Sequence, residues 1–145
     1  MKRSLPLIAG LLAWILCVPQ STAGDPSARP GDAHRTAAAA DLERLREAQD
    51  SELRVIWPAL RRTPSRVSGL RWVDAAERTE DKAAAFLAAY PGLVGARADE
   101  LELLEQRRTT SRSVLRYQQR WEGVRVLGGT VSLSFDAAGT LRSLS

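Results

Sequence analysis

Val114-Leu-Arg-Tyr-Gln-Gln-Arg-Trp-Glu-Gly-Val-Arg-Val-Leu-Gly-Gly129, followed by Thr130-Val-Ser-Leu-Ser-Phe135, is the stretch that decides the fold. Val114 to Trp121 is rich in residues that suit a pleated surface. The two-residue period of a strand puts Leu115, Tyr117, Gln119 and Trp121 on one face, and Tyr117 and Trp121 read as core. Glu122-Gly123 permits a tight reversal before Val124, Arg125 and Val126. Gly128-Gly129 reads as a further break, after which Val131, Leu133 and Phe135 alternate with Thr130, Ser132 and Ser134. Asp136-Ala-Ala-Gly139 predicts a turn with Gly139 in the left-handed position. Leu141 to Ser145 begins one more strand, which is expected to present an unpaired sheet edge.

Moving towards the N-terminus, Leu101 and Leu103 alternate with Glu100 and Glu102 as in a strand. The clearest helix precedes them. Ala83, Phe86, Leu87 and Tyr90 recur at i, i+3, i+4 and i+7 and lay one apolar stripe against a core. Asp74, with Glu77 three residues on, has the spacing of a capping box and sets the expected start of that helix. Pro91-Gly92 ends it. Leu53, Val55 and Trp57 share one face of a short strand stopped by Pro58. Arg66 to Trp72 supports a second strand containing Val67 and Leu70, so the two predict a hairpin around Thr63-Pro64. Thr36 to Ser51 predicts a short, loosely docked helix with Leu42 and Leu45 on one side. Gly24 to Arg35, with Pro26, Pro30 and Gly31, reads as a flexible leader.

The first 23 residues read as an export signal. Lys2 and Arg3 precede the apolar run Leu5 to Val18, and Ser21-Thr22-Ala23 supplies small residues for cleavage between Ala23 and Gly24. The run is shorter than the ~20 residues of a membrane-spanning helix; the alternative is a retained anchor. Cys17 is the sole cysteine and lies inside this segment, preceded by Leu16 where a lipoprotein acceptor needs a small residue. The remaining 122 residues then carry no cysteine and depend on an apolar core. They hold 19 basic and 17 acidic residues, a net charge of +2. The arginines are scattered among Glu and Asp, which argues against a nucleic-acid footprint.

The chemistry that is missing narrows the function further. His34 is the only histidine and falls in the leader, so no His-Glu-x-x-His zinc site and no Ser-His-Asp arrangement can be built. Thiol catalysis needs a cysteine outside the signal. Adjacent acids at Glu80-Asp81 and Asp99-Glu100 are the ordinary charged ends of elements. No cofactor site is expected. Gln119 stands out as a polar residue on an otherwise apolar face: its amide either satisfies backbone groups at the neighbouring bend or contacts a ligand.

These same residues carry a resemblance. Val114 to Gly129 is similar to the fungalysin/thermolysin propeptide domain, in which a hydrophobic-Arg-aromatic-Gln-Gln segment leads to an aromatic, a Gly, a Val-x-Val step and a Gly. Arg116, Gln119, Gly123, Val126 and Gly128 match that pattern, and they are the family-motif positions expected to be structural or to touch a partner. Val131 to Gly139 resembles the strand and Asp-x-x-Gly turn that follow. Thr63 to Gly69 resembles the family's hairpin, and Ala83 to Ala89 its helix. Arg125 stands where the family usually has Pro.

The resulting expectation is an α+β chain, a twisted antiparallel sheet packed on one main helix, preceded by a short helix and a flexible leader. It divides into a signal peptide (1–23), a leader with a short helix (24–52) and a propeptide-like domain (53–145), ending where family members continue into further modules. The resemblance implies a non-catalytic module of a bacterial, secreted or periplasmic protein. It would act as intramolecular chaperone and inhibitor of a thermolysin-like zinc metallopeptidase whose catalytic domain is the partner, in cis or in trans. The family's cleft-filling segment lies beyond the counterpart of Ser145, so inhibition by 53–145 alone is expected to be weak. A free-standing secreted binding module is the alternative. Membrane contact is expected only through the signal peptide during export.

Overall fold

The computed structural model describes residues 32–145, so the signal segment, Cys17, the Ala23/Gly24 cleavage position and most of the leader lie outside the described residues. Six strands form one antiparallel sheet: β1 (Arg54–Ile56), β2 (Arg66–Trp72), β3 (Leu101–Arg108), β4 (Arg112–Trp121), β5 (Val124–Asp136) and β6 (Leu141–Leu144). Their order across the sheet is β1-β2-β6-β5-β4-β3. Helices α1 (Asp32–Glu47), α2 (Thr79–Ala89) and α3 (Pro91–Val94) complete an α+β fold.

The alternation read in the sequence makes the sheet two-faced. Val67, Leu115, Tyr117, Val131, Leu133, Phe135, Leu141 and Leu144 are buried in one core cluster with Ala83, Phe86, Leu87 and Tyr90. The intervening Arg66, Arg112 and Arg116 are exposed, and Ser132, Ser134 and Ser143 are half-buried. Antiparallel sheets tolerate one wet face in this way. Val67 and Leu70 are both fully buried although three residues apart. A bulge reconciles them: Gly69–Arg71 of β2 stand opposite Arg142 alone between the pairs Ser68↔Ser143 and Trp72↔Leu141. Gly69 enables it, with φ of 82° and no room for a Cβ against the Glu52 carbonyl.

Four expectations need correction. Helix α2 starts at Thr79, five residues after Asp74, behind Arg78 with no side-chain cap. Asp74 instead accepts the Ala76 N–H at 2.8 Å, a local turn that competes with helix initiation. Helix α1 starts at Asp32, inside the expected leader, and is firmly docked. Ala38 and Leu45 are fully buried and Leu42 nearly so. The buried Asp41 carboxylate accepts the Gly92 N–H at 2.7 Å, capping the start of α3. Arg44 bonds the Ala89 carbonyl at 2.8 Å and lies 5.4 Å from the Tyr90 ring centroid, which ties α1 to the end of α2.

The third correction concerns β5, which runs unbroken through Gly128-Gly129. The fourth concerns β6, which lies in the middle of the sheet between β2 and β5; the edges are β1 and β3. A long return from the first hairpin to the last strand produces that order, and local pattern cannot reveal it.

Candidate functional site

The site is built by the β4–β5 hairpin. Trp121 pairs with Val124, leaving Glu122 (φ 48°) and Gly123 (φ 81°) as a two-residue turn with both central residues left-handed. Nothing lies within 4 Å of a Cβ added at Gly123, so any side chain there is opposed by backbone conformation alone. Arg120 braces the turn from one strand back: it donates to the Gly123 carbonyl at 2.8 Å and pairs with Glu102 on β3 at 2.5 Å.

Below the turn the ladder is interrupted. Pairing passes from Arg120↔Arg125 to Gln118↔Thr130, so Gln119 alone faces Val126, Leu127, Gly128 and Gly129. This wide bulge throws Leu127 fully into solvent. Gln118 holds it in place: its Nε2 donates to the Val126 carbonyl at 2.9 Å, to Gly129 at 3.2 Å and to Gln119 at 3.1 Å. The amide that satisfies backbone groups at the bend is therefore Gln118 and not Gln119. The Gln-Gln pair in the sequence held the signal, but alternation placed Gln118 on the wet face and concealed its role.

Gln119 does other work. Its Nε2 donates to Glu100 at 3.3 Å, and Glu100 also accepts the Arg97 N–H at 3.3 Å. The side chain stands between two open clefts, of about 490 and 430 Å³. One runs past Pro91, Gly92 and Ala96 to Trp121; the other runs past Arg61 and Arg62 to Leu60 and Leu127. His34, expected in a leader, sits on α1 at the junction of both clefts. Trp121, expected in the core, is 60% exposed, and Val124, Leu60 and Leu127 are more exposed still. Trp121 keeps the face that alternation assigned to it, lining a cleft with His34, Ala37 and Pro91, but that cleft is open and leaves it exposed.

The family-motif positions are thus only partly brought together. Gln119, Val126 and Gly128 line one cleft, and Gly123 shapes the turn above them. Arg116 is exposed on the opposite face, beside Glu105, Arg107 and Ser132. Among the described residues no group of three His, Cys, Asp or Glu side chains is placed to hold a metal ion, and no helix is long and apolar enough to cross a membrane.

The family model described as Fungalysin/Thermolysin Propeptide Motif matches residues 109–145. This segment is similar to a propeptide motif. It comprises β4, the bulged β5 and β6, so the match includes both the hairpin surface and the central strands of the sheet. The motif's Gln-Gln pair divides its labour in this chain: the first amide clamps the bulge and the second faces the clefts. No curated protein matches the chain. Among solved structures, the C-terminal domain of Bacillus megaterium YpeB is similar at 14% identity and a TM-score of 0.42, over 79% of this chain. The chain spans 61% of the length of that structure.

Proposed function

We propose that this chain is a propeptide module that assists the folding of a secreted thermolysin-like zinc metallopeptidase and restrains it, with the β4–β5 hairpin as the docking surface. The carrying observation is that the matched motif contains the bulge that presents Leu127 to solvent, with Trp121 and Val124 beside it. A soluble domain gains nothing by exposing these side chains together, whereas such clusters commonly serve as protein contacts. Arg61 and Arg62 line the cleft that reaches Leu60 and Leu127, which suits a partner surface that is apolar with acidic groups beside it. A folding template acts by binding a near-native form of its partner more tightly than the unfolded chain. That needs a shaped surface and no bond chemistry.

The decisive measurement is recovery of peptidase activity from denatured cognate catalytic domain, with this chain added in trans. The native chain should raise the yield over a control protein. The double substitution Trp121→Ala and Leu127→Asp should abolish the gain while leaving the chain's own melting temperature unchanged, because both side chains are exposed. A native chain that performs no better than the control would overturn the reading in favour of a binding module with no cognate peptidase.

A further inference from the structure

A third cleft, of about 390 Å³, lies at the end of the sheet away from the hairpin tip, between the start of α2, the β3–β4 turn and the β5–β6 turn. Lys82, Arg108 and Arg112 line it. Neither Arg108 nor Arg112 forms an ion pair among the described residues. Lys82 makes only a long contact, 3.3 Å, to the Gly139 carbonyl. Of the two carboxylates present, Asp136 is committed: one oxygen accepts the N–H groups of Ala138 and Thr140, and the other pairs with Arg142 at 2.7 Å. Glu77 is exposed, and Glu80 on α2 interacts with Arg108 as well as with Arg78, so the three cations face Glu77 and part of the Glu80 charge.

Two hydroxyls sharpen the picture. Thr79 and Ser113 line the cleft and are only 9% and 8% exposed, and neither side chain has a hydrogen-bond partner among the described residues. Neither hydroxyl oxygen is sealed from solvent, so both can reach a ligand in the cleft. Thr79 also opens α2, whose N-cap residue Arg78 supplies no side-chain cap, although the Glu80 carboxylate accepts its own backbone N–H in that first turn.

We infer that this cleft binds a tetrahedral oxyanion, phosphate or sulfate, either free or as a phosphoryl monoester. The donors converge from three elements: guanidinium groups from the β3–β4 turn, the ammonium from α2 and hydroxyls from α2 and β4. A tetrahedral anion offers acceptors in all these directions, and guanidinium forks match its edges. A helix start adds favourable partial charge.

The test is calorimetric titration of the full chain with sodium phosphate, sodium sulfate and phosphoserine, at ionic strength held constant with NaCl, together with thermal melts. Saturable binding and a raised melting temperature are expected. R108Q with R112Q should weaken binding at least tenfold, without changing the melting temperature in phosphate-free buffer, because both side chains are exposed. Thr79→Val keeps the side-chain shape and removes the hydroxyl; it should weaken binding several-fold while leaving the anion-free chain at least as stable. Phosphoserine binding as tightly as inorganic phosphate would assign the site to a phosphoryl monoester, and much weaker binding would assign it to the free anion. Heats and melts that follow NaCl alone, or binding unaffected by R108Q with R112Q, would overturn the inference.

Discussion

At the scale of single residues, the two adjacent glutamines show how an interrupted ladder redistributes roles. Gln118 gives its amide to three carbonyls of the bulged region, whereas Gln119 makes one long contact to Glu100. Gln118→Ala should therefore destabilise the chain by about 1–2 kcal/mol, since the carbonyls of Val126 and Gly129 lose their shared half-buried donor. Gln119→Ala should stay within about 0.5 kcal/mol. Urea denaturation of both variants decides the matter, and equal losses would show that the bulge holds itself. The sequence made the pair visible as polar residues in a strand. Which amide turns inward depended on four residues of β5 bulging out opposite one of β4.

At the scale of elements, the β5–β6 turn is a local device that the sequence announced. Asp136 accepts the N–H groups of Thr140 and Ala138, and Gly139 takes a φ of 76°. The Thr140 N–H, aided by Arg142 and the Ala138 N–H, holds the Asp136 carboxyl below the usual aspartate range. A carboxyl with a lowered folded-state pKa adds stability that is present above its unfolded value, about 3.9, and lost as pH falls through the lower folded value. Stability measured by urea denaturation should therefore decline as pH drops below about 4, and Asp136→Asn should make that decline shallower. An unchanged acid profile in the variant would assign the loss elsewhere, with Glu80 the next candidate because a bond to its own backbone N–H also lowers its pKa. Helix α1 carries the opposite lesson. Its composition gave a helix, but the depth of its docking came from Asp41 reaching Gly92, fifty-one residues away in the chain.

At the scale of the whole molecule, the position of β6 dominates. This strand joins β2 to β5 and buries Leu141 and Leu144. A chain cut after Thr140 should lose more than an edge, because β1 and β2 would be separated from the rest of the sheet. Its near-ultraviolet circular dichroism and cooperative melt should disappear. Retention of a sharp transition would mean that β3–β5 and the helices fold without the central strand.

The sequence by itself determined the polarity of the elements: which faces of β4, β5 and α2 are apolar, where the Glu122-Gly123 and Asp136–Gly139 turns fall, and which segment matches a propeptide motif. These follow from period and backbone preference, which act over a few residues. Tertiary structure alone decided that Leu70 joins Val67 in the core, that β6 is central, and that Trp121 and Leu127 remain outside it with His34 at the cleft junction. Each of those outcomes depends on the register and reach of segments far apart in the chain, and burial is settled only when such segments meet.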